Sequence, residues 1–448
     1  MNTRRDFIKK GSLSALSLGA SLVFPVELLA QMRKRTSAND HIQVGLIGCR
    51  GMGFTDLISL LKLSEVQVVA LCDVDKTVLN DKVEELKKAN IKPPKLYKDY
   101  RKLLDDKDVD IAIIGTPDHW HCLQLIDAIS AGKDVYCEKP IANSIQECDL
   151  MLNAVNSSDR MVQIGQWQRS QPHFVDAINY LRKGELGNIR LAKAWAYQGW
   201  MNSLPVMPDG NAPKGVDYDM WLGPAPKRPF NPNRFHFSFR WFWDYAGGLM
   251  TDWGVHLMDY ALYGMEASIP KSVMAIGGKF AYPEDAQETP DTLQTVFEYD
   301  NYSILWEHAT GIDGGNYGRD HGIAFIGNNG TLVLDRSGWE VIPEDERQGW
   351  AKNLGPKIEA IPMQFNEGNG LDNHTKNFIE AVKTRNASVL KAPIEVGYDA
   401  AFVCHLGNVA YKSQDKIFWD SDAKSLTDTN LNPLLGTTYH NGWELPKI

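Results

Sequence analysis

A lysine stands at the end of a short apolar run, where residues 134–140 read DVYCEKP. Lys139 is either a surface partner of Glu138 or a cation at the carboxyl edge of a parallel sheet, where open α/β sheets place their ligands. Farther on, Asp252 and His256 stand four apart in LMTDWGVHLMDYALYG (249–264). Leu249, Met250, Trp253, Leu257 and Met258 recur there at helical spacing, so a carboxylate and an imidazole share one helix face, within reach of a common point. Proton transfer is the chemistry such a pair suits; a packed, hydrogen-bonded histidine is the competing reading. Asp259 adds a third polar group, but no further strong ligand stands at metal spacing in the segment, and no metal is expected. His308, His321 and His374 remain open as contributors from elsewhere.

A second set of residues points to a bound nucleotide. In IQVGLIGCRGMGFTDLISLLKL (42–63) an apolar run, a glycine cluster and an amphipathic helix follow without a gap. Gly48 and Gly53 take the first and last places of G-x-G-x-x-G, Arg50 occupies the middle glycine's place, and Gly51 and Met52 complete the loop. Asp73 follows twenty residues after Gly53 at the tip of the next strand. Glycines permit the tight turn and close backbone approach, helix N–H groups face the pyrophosphate, and Asp73 accepts from ribose hydroxyls. A 2′-phosphate would meet that carboxylate, so NAD is expected over NADP, although Arg50 is a cation within reach of a phosphate.

The elements that must position these residues alternate in the first half. Strands VQVVALCDVD, VDIAIIGTP and DVYCEKP are separated by helices at 76–90 and 119–131, with a helical turn at 99–105, which predicts a parallel sheet covered on both faces. From about 161 the strands cluster, near 271–280, 291–310, 321–336 and 339–343, with helices at 371–386 and 395–413. The reading is α/β: a Rossmann-like NAD(P)-binding domain over 41–160, a C-terminal α/β domain with an open, mostly antiparallel or mixed sheet over 161–415, and an extension over 416–448.

The bulk numbers exclude some partners. With 23% charged residues and a formal net charge of −9, the chain offers no basic surface for nucleic acid. Its start, TRRDFIKKGSLSALSLGASLVF, resembles a twin-arginine export signal over 1–30, with cleavage after Ala30 and a linker over 31–40; an ordinary secretory signal or a membrane anchor is the alternative. Pro25 interrupts an apolar run short for a stable span, so no membrane span is expected after processing, and a periplasmic location is. The six cysteines show no metal-type spacing and read as buried thiols.

GLIGCRGMG with Asp73, GTPDHWH (115–121), CEKPIA (137–142) and DWGVH (252–256) together resemble the glucose-fructose oxidoreductase, inositol dehydrogenase and rhizopine-catabolism (Gfo/Idh/MocA) family over residues 41–415. Arg50 is the departure. The resemblance implies an active site between the two domains, with Lys139 beside the nicotinamide and the substrate hydroxyl. It also implies Asp252 and His256 as the catalytic pair, Thr116, Pro117 and His121 along the nicotinamide end of the groove, Glu138 on the lysine or the ribose, and a cis bond before Pro140. Oxidising a secondary alcohol needs a base and a positive charge for the forming alkoxide; His256, oriented by Asp252, and Lys139 would supply them. Family members pair through the C-terminal sheet, which implies a homodimer or homotetramer.

Thirteen tryptophans are either core or platforms for sugar rings. The segment 221–248, with Arg228, Arg234, His236, Arg240, Trp241 and Trp243, reads as a substrate wall or an interface, and Trp200 as a further ring platform. The expected activity is NAD-dependent oxidation of a sugar or glycoside ring hydroxyl with tightly held cofactor, in carbohydrate breakdown. The alternatives are a redox glycosidase that oxidises, eliminates and re-reduces, and a non-catalytic nucleotide- or sugar-binding regulator.

Overall fold

The computed structural model describes residues 41–447; the expected signal (1–30) and linker (31–40) lie outside them. Strands β1 (Ile42–Ile47), β2 (Val66–Cys72), β3 (Lys95–Tyr97), β4 (Ile111–Ile114), β5 (Asp134–Cys137) and β6 (Val162–Ile164) form a parallel sheet in the order β3-β2-β1-β4-β5-β6. Helices α1 (Gly51–Leu60), α2 (Lys76–Lys88), α3 (Tyr100–Leu104), α4 (His121–Ser130) and α5 (Ile145–Asn156) make the crossovers. β4 and β5 are buried along their whole length, as strands covered on both faces must be. Strand order reverses between β1 and β4, the switch point outside whose carboxyl ends open α/β sheets bind their ligands.

After α6 (Pro172–Leu181) the chain builds a ten-stranded sheet, ordered β16-β13-β12-β11-β7-β10-β9-β8-β17-β18. Its strands are β7 (Ile189–Gln198), β8 (Ser272–Gly278), β9 (Thr292–Glu298), β10 (Ser303–Thr310), β11 (His321–Gly327), β12 (Gly330–Asp335), β13 (Gly338–Pro343), β16 (Ile361–Phe365), β17 (Ile417–Asp420) and β18 (Ser425–Leu426). β7 and β10 run parallel and the remaining paired neighbours antiparallel, which is the mixed open sheet expected. The hairpin β14 (Asp345–Gln348) and β15 (Lys352–Pro356) stands apart. Its polar, mostly exposed residues carry no alternation from which a strand could be read.

Five helices complete this half: α7 (Tyr218–Leu222), α8 (Leu249–Asp252), α9 (Gly254–Met265), α10 (Gly370–Thr384) and α11 (Ile394–Ser413). A contiguous division of the chain at 160 and 161 misplaces one of them. Phe378 and Ile379 of α10 are buried in the core of the first sheet with Leu57, Ile111 and Tyr136, and Asp372 pairs with Lys62 at 2.8 Å. Periodicity reveals that a helix has an apolar face, not which sheet it covers. The C-terminal extension also returns to the first half. Trp443 packs against Tyr100 and Trp120, and Tyr439 donates to Glu147 at 2.7 Å. All six cysteines are free and buried, and no helix of the described residues is long and apolar enough to cross a membrane.

Candidate active site

The glycine loop is shaped by close approach. Gly48 has φ +84°, and a Cβ there would lie 2.6 Å from the Gly115 carbonyl; one at Gly53 would lie 2.4 Å from the Gly48 carbonyl. Any larger side chain would push the β1 and β4 loops apart. A Cβ on Gly51 would meet nothing within 4 Å, so the space before α1 is open. Arg50 caps α1 without a side-chain bond, leaving first-turn N–H groups for an anion; Arg50 and Met52 are exposed beside them. Asp73 accepts from the Cys49 N–H (2.8 Å) and the Asp75 N–H (2.9 Å). It therefore anchors the loop and keeps lone pairs for a ribose. Burial raises its pKa, and those two N–H bonds oppose the rise. An open helix N-terminus, a close-packed glycine turn and an acidic strand tip together fit a dinucleotide.

Three elements bring the charged residues together. Lys139, after β5, donates to the Asp252 carbonyl at 2.9 Å and to its carboxylate at 3.2 Å. Arg240 donates to the same oxygen, Oδ1, at 3.1 Å. Burial pushes the Asp252 carboxyl up, but Lys139 and Arg240 outweigh it and bring the pKa down to about 2. His256 is buried, and burial, reinforced by Lys139, Arg336 and His321, holds it well below the ordinary histidine value. It is a neutral imidazole.

Here the structure corrects the expected pairing. Asp252 ends α8 and His256 begins α9, and Asp252 is drawn to the two cations rather than to the imidazole. His256 is oriented by Gln168, whose Oε1 lies 3.0 Å from Nδ1. With the amide oriented so, Nδ1–H donates and Nε2 is left as the acceptor. Gln168 lies in a 3₁₀ turn after β6, and nothing in its local pattern signalled the contact. Asp259 is likewise structural, held by Arg169 at 2.6 Å.

Other expected residues have different duties. His121 places Nδ1 2.7 Å from the Pro140 carbonyl and Nε2 2.7 Å from the Thr116 carbonyl, so it braces two loops instead of facing the groove. Thr116 turns its hydroxyl to Gln124, leaving its backbone and Pro117 to line the loop. The Lys139–Pro140 bond is cis. The Glu138 carboxyl faces Asp56, a buried residue of α1 absent from the expected set. Burial raises both carboxyls, and the neighbouring Glu138 raises Asp56 further. Gly165 makes room, since a Cβ there would lie 2.2 Å from Glu138 Oε1.

The expected substrate wall is in large part internal bracing. Arg228 is paired with Asp244 and Glu288, and Arg234 with Asp209. Trp241 is buried at 5% exposure. Trp243 donates to the Glu288 carbonyl and lies under Lys412, its polar edge and one face already satisfied. Arg240 remains in the site. Trp200 is exposed and borders Phe237. His308 and His374 bond to the carbonyls of Pro290 and Ile164; among the described residues no three metal-ligating side chains cluster.

One contact to the nucleotide crevice was not legible in the sequence. Residues 215–217 lie along the chain that follows Asp73, with Lys76 N–H on the Gly215 carbonyl (3.1 Å) and Asp217 N–H on the Val74 carbonyl (2.9 Å). His236, in a left-handed conformation at φ +57°, reaches Asp75 at 3.0 Å. Arg50 acts electrostatically on both Asp73 and His236, so the three side chains neighbour one another next to the glycine loop. His236→Ala is expected to speed NAD release about tenfold or more, the worth of one hydrogen bond to a charged group. Release followed by nucleotide fluorescence after buffer exchange checks this, and an unchanged rate rejects it.

Residues 42–166 match the profile described as "Oxidoreductase family, NAD-binding Rossmann fold", and residues 190–301 match its "C-terminal alpha/beta domain". The chain is similar to "Glycosyl hydrolase family 109 protein 1" of Shewanella sp. (strain ANA-3), 29% identical over 152 residues, 33% of each chain. It is also similar to "Alpha-N-acetylgalactosaminidase" of Shewanella oneidensis, 28% identical over 201 residues, 42% of this chain and 44% of that one. The matches thus span a third to under a half of these curated relatives. Among solved structures, "Levoglucosan dehydrogenase, complex with NADH and levoglucosan" superposes with a TM-score of 0.61 at 18% identity, covering 84% of this chain and 99% of the other, a likeness of fold.

Proposed function

Because the chain belongs to the Gfo/Idh/MocA oxidoreductase family and carries its NAD-binding Rossmann fold, we propose that it oxidises a ring hydroxyl of a sugar or glycoside in carbohydrate breakdown, with NAD retained through the cycle. The observation that carries this is the meeting of Lys139, Asp252 with Arg240, and neutral His256 at the carboxyl edge of the NAD-binding sheet. NAD, held by the Gly48–Gly53 loop, the α1 N-terminus and Asp73, supplies the hydride acceptor when bound. Lys139, anchored by Asp252, turns its remaining N–H to the hydroxyl oxygen and steadies the negative charge that gathers there. His256 takes the proton at Nε2, since Gln168 occupies Nδ1.

A second reading, in which oxidation is followed by loss of the glycosidic substituent and re-reduction, is favoured by the two curated relatives above, both of which carry glycosidase names. It uses the same proton-handling residues. Location in the periplasm is supported by the paired Arg4 and Arg5 before an apolar run, and retained NAD suits such a compartment. Assembly as a homodimer or homotetramer is supported by Met274, Ile276 and Val296, exposed side by side on β8 and β9. The test is mass spectrometry of products from NAD-loaded protein given glycosides and disaccharides, with and without a keto-sugar acceptor. Acceptor-dependent loss of two hydrogens from an intact glycoside is expected; free monosaccharide without net NAD reduction would establish the glycosidase instead, and no product at all would reject both.

A further inference from the structure

Arg336 follows β12 in the turn to β13 and has no ion-pair partner among the described residues. Its guanidinium lies 4.8 Å from the ring centre of Trp253 and 5.3 Å from that of Trp167. Trp253 stands between Asp252 and His256, and Trp167 immediately precedes Gln168, so both rings belong to the frame of the active site. Nε is buried without an acceptor. The nearby carboxylates are committed elsewhere: Asp252 to Lys139 and Arg240, Asp320 to His321, and Asp335 to Arg319 and to the N–H groups of Ser337 and Gly338. Burial lowers the Arg336 pKa to about 10, which leaves it charged at neutral pH.

A sheltered guanidinium ordinarily has a carboxylate, because its planar fork matches one and its desolvation is costly without one. Two indole faces offset part of that cost and fix the plane, but they satisfy no N–H. The local charge points the same way. Lys139, Arg240 and Arg336 face Asp252, which Lys139 and Arg240 already engage, and Arg336 also feels Asp320, which is bonded to His321, while burial pushes Asp118 up to about 7. His256 is neutral, and its pKa is depressed in part by Arg336 itself.

We propose that Arg336 binds a carboxylate of the substrate, so that the substrate class is an acidic sugar, a hexuronic acid or its glycoside, held with its reacting hydroxyl toward Lys139 and His256. This rests on the reading of the site as sugar-oxidising and adds the charge of the sugar. A site with an unpaired guanidinium discriminates against the neutral analogue, which would leave those N–H groups without a partner. The experiment is calorimetric titration of the NAD-loaded protein with methyl glucuronides and galacturonides against the matching methyl glucosides and galactosides. It is repeated on Arg336→Met and Arg336→Lys, with unfolding temperature and NAD content as checks of folding.

At least one acid should bind about tenfold or more tightly than its neutral counterpart, given a charge-assisted bidentate contact. The ratio should fall to about one in Arg336→Met and in part in Arg336→Lys. Equal or tighter binding of the neutral sugars, no binding of any acid, or an acid preference that survives Arg336→Met would overturn the proposal. Acid preference without any oxidised or cleaved product would sink the oxidoreductase reading and leave the carboxylate subsite standing.

Discussion

Lys139→Ala is expected to lower turnover at least 10²–10³-fold, the size seen when one donor aimed at developing negative charge is removed, while NAD stays bound. The reason is positional. The Lys139 side chain is only 10% exposed, and its ammonium is fixed by two bonds to Asp252, one to its carbonyl and one to its carboxylate, so its remaining N–H directions are set before substrate arrives. Loss of the lysine does not strand Asp252, because Arg240 still donates to it at 3.1 Å. The folding penalty should therefore fall below the roughly 3–5 kcal/mol of a buried pair broken outright. Arg at position 139 is not expected to rescue activity, since a planar fork would compete with Arg240 for the same oxygen. Single-turnover absorbance of the reduced nicotinamide measures the step directly. Turnover within a few-fold of the parent protein would remove Lys139 from the chemistry.

His256→Ala should cost about 10²–10⁴-fold, the usual contribution of a positioned general base. The pH profile gives a sharper reading. The active form is the neutral imidazole, and burial with Lys139, Arg336 and His321 depresses its pKa well below the ordinary value of 6.5. A depressed pKa keeps the base neutral as pH falls through that value, so the acid limb of kcat/KM should lie well below pH 6.5. Gln168→Leu removes the acceptor for Nδ1–H and frees the ring to adopt the other tautomer, so kcat should fall by less than in His256→Ala, with KM little moved. An acid limb at the ordinary histidine pKa, or full activity in His256→Ala, would assign the base elsewhere.

Local pattern was enough for much of this molecule. Alternating apolar runs and amphipathic helices dictate a parallel sheet because a strand buried on both faces must be apolar throughout. The turn at Gly48 and Gly53 requires glycine because the backbones of two loops touch there. Lys139 could be singled out because it ends a buried strand, and Asp252 and His256 because their spacing is helical.

What the tertiary structure decided is which groups those residues meet. Asp252 turns to Lys139 and Arg240, and His256 to Gln168, a partner 88 positions away in the chain; no spacing rule reaches across that separation. The same holds for the buried carboxyls of Asp56 and Glu138, for His236 on Asp75, and for α10 in the first core. Arg336 is the clearest case. In sequence it is one arginine in a turn, and only the packing of Trp167 and Trp253 around it, with every nearby carboxylate already engaged, makes its charge a statement about the ligand. Periodicity reports which faces are buried, whereas the partner of a polar side chain depends on chain segments that the fold alone brings together.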